Sequence, residues 1–387
     1  MEATRSSFNT KVAIGLSAIL LAAVMLVCIP QGQALATDTA PDAQSNMRLA
    51  TFGDPSADLQ GTEAASANAP QQASGVKAKY GLLMKNGTIY PCNSKGKKLG
   101  KAFKAGSTVR AIFVDKKAKK LPALTRTKYW VYPSWGTVKA KVKTIKFLGK
   151  KSRVTTIAKN AYKGHSSLKK VVNLNKTKVK TIPNYAFANT SLSAIKLPKT
   201  VTKIGSYAFF GTKIKGMAFP TGLTSIGDQA FARTANIKGT INLSKTRLAT
   251  IGEFAFAESN AQAVLLPSTV KTIKKEAFAQ MPYLINVGGL ANTQIAALEY
   301  GAFESSPRIT NVALPRTCKS VGYGAFYGCT AFNSLTLNSE TKVSGSSLMF
   351  SGTRIAAGSG TIRIPAALRA DYTTDYYWSD YRTLFVS

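Results

Sequence analysis

The sequence predicts a repeat solenoid of about nine stacked coils, each a short β-strand followed by a short helical turn. Three observations predict it. A phrase made of an aliphatic residue, three variable residues and then Ala-Phe recurs along the chain, as in Ile182…Ala186-Phe187, Ile204…Ala208-Phe209 and Ile251…Ala255-Phe256. Weaker copies at Ala161-Tyr162 and Met349-Phe350 bring the total to nine, at intervals of 25, 22, 22, 25, 22, 25, 23 and 24 residues. An apolar triplet precedes most copies, often followed by proline as at Pro198, Pro220 and Pro315. A fixed period of this length is the mark of stacked units that cannot bury an apolar face alone.

Taken in order, residues 1–36 carry Arg5 and Lys11, an uncharged apolar run from Val12 to Ile29, and Ala34-Leu35-Ala36. This is the order of a secretory signal peptide, with cleavage expected after Ala36. An uncleaved membrane anchor is the other arrangement the apolar run permits. Residues 37–75 are small and polar with five acids, and cannot bury enough surface to offset chain entropy, so a flexible leader is expected.

Residues 76–139 form a basic β-rich module or N-terminal cap. Asn86-Gly87 between Tyr80–Met84 and Thr88–Tyr90 signals a hairpin. Lys95, Lys97, Lys98 and Lys101 form one cluster and Lys116, Lys117, Lys119 and Lys120 a second. Val138 to Lys143 alternates strictly, which predicts a strand burying Val138, Ala140 and Val142 and exposing Lys139, Lys141 and Lys143. Trp130 and Trp135 are candidates for stacking on sugar rings, or for the hydrophobic core of the module. From Lys77 to Lys180 there are 29 basic residues against the single acid Asp115. A field of that sign recruits polyanions and weakens with salt. Lysine outnumbers arginine, which favours diffuse charge over bidentate phosphate reading, so no specific nucleic-acid recognition is expected.

Residues 140–360 hold the repeats. Strand triplets such as Ile195-Lys196-Leu197 and Ile241-Asn242-Leu243 should point their outer residues inward and the middle one outward. The outward row on a concave face then reads Lys146, Asn173, Lys196, Ala218, Asn242, Leu265, Gly289, Ala313, Thr336 and Arg363. Of these, Lys146, Asn173, Lys196, Asn242, Thr336 and Arg363 are the candidate binding residues. The Phe of each phrase should fill the core and stack on its neighbour in the next coil.

The run Leu197-Pro198-Lys199-Thr200-Val201-Thr202-Lys203-Ile204-Gly205-Ser206-Tyr207-Ala208-Phe209 resembles the BspA-like leucine-rich repeats of bacterial surface and secreted proteins, and Leu314 to Cys329 does so again. The glycine after the aliphatic residue is replaced by Pro183, Lys274 and Glu299. Tyr372, Tyr376, Tyr377, Trp378 and Tyr381 resemble the family's terminal cap over residues 361–387. The resemblance implies a right-handed solenoid and a binding or adhesive role without a common ligand.

Chemistry is sparse. The lone His165 stands where other coils have Thr190 or Thr212 and is expected to be structural. No zinc spacing, nucleophile elbow or phosphate loop is present. Asp228, Glu253 and Glu276 recur in successive coils but on an expected water-washed turn. No catalytic residue, metal or cofactor is therefore expected. Cys318 and Cys329 should face the core, either as free thiols or as a bridge. The expected protein is secreted or surface-located and non-covalently wall-associated. Its expected partners are a host matrix or cell-surface protein or glycan and an anionic cell-wall polymer such as teichoic acid; a membrane is expected only through an uncleaved signal. The alternatives are a targeting subunit of an envelope hydrolase and a secreted enzyme with an unrecognised site.

Overall fold

The computed structural model describes residues 80–83, 89–93, 95, 97–98, 108–121, 129–132 and 136–387. All lie within one compact unit, Thr62–Ser387. The expected signal peptide, the expected leader, Lys101 and Trp135 lie outside the described residues.

The chain winds into a parallel β-solenoid of about 11 turns. This exceeds the nine counted from the phrase because the first and last turns lack it. At the N-terminal end, β1 (Tyr80–Leu83) and β2 (Ile89–Cys92) form the hairpin that Asn86-Gly87 signals, and β1 pairs in parallel with β3 (Thr108–Val114). β4 (Lys120–Leu121) pairs with β7 (Thr156–Ile157). β5 (Tyr129–Tyr132) is antiparallel to β6 (Gly136–Phe147), and β6 also pairs in parallel with β3 on one side and β8 (Lys170–Val172) on the other. Ile112, Val114 and Leu121 join the same core as the repeats, so this end belongs to the stack.

Two ladders run along the solenoid. One carries a single aliphatic residue per coil, as in Ile182, Ile204, Ile226, Ile251 and Ile273, each side by side with the next. The other carries the triplets, with Val264 between Ile241 and Val287, and Leu335 between Val312 and Ile362.

Between the ladders lies the Ala-Phe phrase. Tyr162 stacks on Phe187, and the column continues through Phe209, Phe231, Phe256, Phe278, Phe303, Phe326 and Phe350 with centroids 5.3–5.8 Å apart. The phrase also hydrogen-bonds between coils: Phe187 N–H donates to the Ala208 carbonyl, Phe209 to Ala230 and Phe231 to Ala255, at 2.8–2.9 Å. A small residue at the acceptor position lets the backbones close to that distance.

The phrase itself is a run of tight turns. The residue before Ala is left-handed, with φ 57° at Tyr185 and Tyr207 and 51° at Gln229. Glycine after the aliphatic residue has a different role. A Cβ at Gly227 would stand 2.6 Å from the Ser206 nitrogen, and one at Gly322 2.8 Å from the Tyr300 nitrogen, so close coil approach requires it there.

The C-terminal cap covers the last Phe. Trp378 and Tyr381 meet Phe350 edge-on, at 5.9 and 5.2 Å. Trp378 Nε1 donates to the Val343 carbonyl and the Tyr372 hydroxyl accepts from Val343 N–H, both at 2.8 Å. Cys92, Cys318 and Cys329 are free, buried thiols, so no bridge forms between Cys318 and Cys329.

Candidate binding surface

The outward row begins at Lys146, which is exposed on β6 with its ammonium 6.0 Å from the Phe113 ring centre. Its neighbour in the next coil is Val172, whereas Asn173 was expected there. Asn173 adopts φ 64° and leads into a 3-10 turn at Leu174–Lys176, with Nδ2 donating to the Phe147 carbonyl at 3.1 Å. The same offset occurs at Gly289, φ 83°, before Leu290–Asn292, where Gly288 takes the place in the row beside Leu265. In both coils the inward residues are three apart, Val171 with Leu174 and Val287 with Leu290. A left-handed residue between them breaks the strand alternation that the triplet reading assumed.

The remaining candidates keep their outward places. Asn242 is exposed and its Oδ1 accepts from Ser244 N–H and Oγ–H. Thr336 lies between Ala313 and Arg363, and Arg363 donates to the Ser387 carbonyl. Lys196 is exposed between buried Ile195 and Leu197.

Lys196 also marks a feature that triplet reading did not find. The triplet ladder is unpaired between β8 and the strand Thr240–Asn242. Ala194–Leu197 and Gly216–Phe219 occupy the two intervening strand positions, and none of these residues makes a backbone–backbone hydrogen bond; Lys215 N–H to the Ser193 carbonyl is the nearest. Here two 22-residue coils adjoin, the one place in the stack where that happens. The aliphatic ladder stays paired through Ile182, Ile204 and Ile226, so the opening is confined to the triplet side. A groove of about 1060 Å³ results. Val171, Val172, Ile195, Leu197 and Met217 form its apolar floor, with Lys169, Lys170, Lys196 and Lys199 along it and no acidic or aromatic side chain in its lining. The only sequence signal was the pair of 22-residue intervals.

The lysine clusters face solvent. Lys95, Lys97 and Lys98 are exposed, with Lys98 3.8 Å from the Tyr90 ring centre. Lys116, Lys117, Lys119 and Lys120 are exposed around the turn between β3 and β4. Lys143 is exposed on β6. Its neighbours Val142, Ile145 and Phe147 are all buried, a change of parity that a register shift opposite Val109 and Ala111 absorbs. Lys139 and Lys141 lie in the same strand, and Trp130 lies in β5.

From Lys116 to Gly227 the chain has 25 basic residues and no acid. Of the 21 whose side chains are described, 20 are exposed; Lys163 is the exception, its ammonium 4.3 Å from the Tyr185 ring centre. Among the described residues, the five ion pairs all use acids at or beyond Asp228. Among the described residues, none of these ion pairs uses an acid from the basic half.

The acids that recur in successive coils do not converge on a site. Asp228 Oδ1 accepts from Glu253 N–H at 3.0 Å and Glu299 Oε2 from Lys275 N–H at 3.0 Å, so they tie one coil to the next. Glu276 is buried. Burial and the neighbouring Glu304 carboxylate push its carboxyl up to about 7, against the opposing pull of Lys275, 3.6 Å away. His165 is half-buried against the edge of Tyr162. Among the described residues no group of His, Cys, Asp or Glu side chains is arranged to hold a metal ion.

Parallel coils, two ladders and a phenylalanine column define the class: a leucine-rich-repeat solenoid. The sequence model of the BspA type leucine-rich repeat region matches residues 155–285 and 249–367, in six copies. The chain belongs to that family. Among solved structures it is similar to a leucine-rich repeat protein from Bacteroides ovatus, at 23% identity over 63% of this chain and 62% of the other, TM-score 0.48. It is also similar to a leucine rich cell surface protein from Faecalibacterium prausnitzii, at 16% identity over 67% and 82% of the two chains, TM-score 0.33. A third is the pneumococcal vaccine antigen PcpA, at 17% identity over 67% and 72%, TM-score 0.38. The match thus spans 62% of the length of the first of these. No curated protein matches the sequence. Among the described residues no helix is long and apolar enough to cross a membrane.

Proposed function

We propose that this chain is a secreted or cell-surface binding protein that holds anionic polymers of a wall or matrix through the basic half of its solenoid. One observation carries the reading: 25 basic and no acidic residues between Lys116 and Gly227, with the described side chains almost all in solvent. Such a surface attracts polyanions over about a Debye length and binds them as a diffuse field. Membership of a repeat family with a surface-protein neighbour is consistent with that location. The partners that suit it are teichoic acids, acidic polysaccharides and glycosaminoglycans. The stack acts as a rigid support with no catalytic role.

The test is charge reversal on one strand. Lys139→Glu, Lys141→Glu and Lys143→Glu together should lower affinity for heparin roughly tenfold at physiological salt. An unchanged affinity would move polymer binding away from the basic end.

A further inference from the structure

We infer that the groove between β8 and the strand Thr240–Asn242 is a docking site for an extended acidic polypeptide segment rich in aliphatic side chains. The inference goes beyond the diffuse charge reading: four of its lysines belong to that basic half, but the unpaired backbone and the apolar floor play no part in it.

Three observations select this occupant. The first is backbone chemistry. Ala194–Leu197 and Gly216–Phe219 hold strand positions in a parallel stack, yet their N–H and C=O groups make no backbone hydrogen bond. Unpaired strand groups are the template on which an added chain forms main-chain hydrogen bonds. The ladder also breaks between the strands Asn286–Gly288 and Asn311–Leu314, but there no unpaired coil intervenes. Only the first gap leaves two successive segments open.

The second is the floor. Val171, Ile195 and Leu197 are nearly buried and Met217 half-buried, all aliphatic or thioether groups. No aromatic ring lines the groove on which a sugar could stack. Apolar side chains on alternate positions of an extended peptide fit such a floor.

The third is charge. Lys169, Lys170, Lys196 and Lys199 border the floor, all exposed and none in an ion pair among the described residues. The side chains that point away from the floor therefore meet ammonium groups, which select carboxylates.

The probe is a fluorescein-labelled octapeptide of alternating glutamate and valine, titrated against the full chain and followed by anisotropy. Saturable binding is expected, together with its loss when alternate peptide nitrogens are methylated. Gly216→Trp should abolish it. Gly216 lines the groove and has open space where a Cβ would stand and an ordinary φ, so the backbone accepts an indole beside the groove. Ala218→Trp, at a second exposed position, should act alike, and an unchanged melting temperature checks the fold in both. Heparin affinity should not change in either variant, whereas charge reversal on β6 should lower heparin affinity and spare the peptide. Failure of the peptide to bind, equal binding of the methylated peptide, or binding that survives both tryptophans would overturn the inference. So would a heparin oligosaccharide that displaces the peptide and is itself blocked by Gly216→Trp, since the groove would then be a glycan site.

Discussion

At the scale of single residues the fold depends on side chains that have no function outside it. Phe256 is fully buried between Phe231 and Phe278, with centroids 5.4 and 5.8 Å away. Phe256→Ala should cost about 3–5 kcal/mol, because the cavity is lined by rings that cannot collapse into it; urea unfolding measures this. Glu276 works in the opposite sense. Its carboxyl is raised from 4.5 to about 7, so the folded protein binds that proton more tightly than the unfolded chain. The stabilisation is complete below pH 4.5 and is lost as pH rises through 7. Glu276→Gln should therefore raise stability by about 1–3 kcal/mol at pH 8 and change little at pH 4; thermal melts at the two pH values test it. Burial pushes the thiols of Cys92 and Cys329 up to about 12. Neither should react with a thiol reagent at pH 8 until denaturant is added. The inward role of the Ala-Phe phrase was legible from its period, since i and i+4 residues at a fixed repeat can share a core face. The left-handed turns before Ala were not, because Tyr185, Phe254 and Glu276 are not residues that announce positive φ.

At the scale of the element, pairing between coils decides what is exposed. Alternation along a strand was enough to place Lys196, Asn242, Thr336 and Arg363 outward. It misplaced Asn173 and Gly289 because a 3-10 turn begins one residue earlier than the triplet suggests. Only backbone conformation distinguishes Val-Asn-Leu as a strand from Val-Asn-Leu as a turn entry. The groove was not legible in any triplet, since Ile195-Lys196-Leu197 and Ile241-Asn242-Leu243 have the same pattern although only the second is paired. The unpaired segments coincide with the two adjoining 22-residue coils, whereas the single 22-residue coil holding Ala263–Leu265 is paired on both sides. The cap, by contrast, was visible as a cluster of aromatics. Trp378→Ala should cost about 3–5 kcal/mol through lost burial and the exposed end of the Phe column. Tyr372→Phe should cost about 1–3 kcal/mol by leaving the buried Val343 N–H without its acceptor. Calorimetry on both variants separates packing from the hydrogen bond.

At the scale of the whole molecule the asymmetry of charge is the dominant property. All the ion pairs among the described residues lie in the half beyond Gly227, and they are mostly exposed pairs worth little to stability. The other half carries a repulsive load that the apolar core and two ladders must offset. On the proposed function an external polyanion would screen that load, and such a ligand would also stabilise the fold by mass action. Charge was fully legible in the sequence, whereas its placement in solvent needed the coil register. The most direct test is a salt series of retention on isolated bacterial cell walls and on immobilised heparin. Charge-held binding predicts strong retention at about 0.15 M salt and release before about 1 M, as the Debye length falls from about 8 to about 3 Å. Retention that does not change across that range would contradict the account.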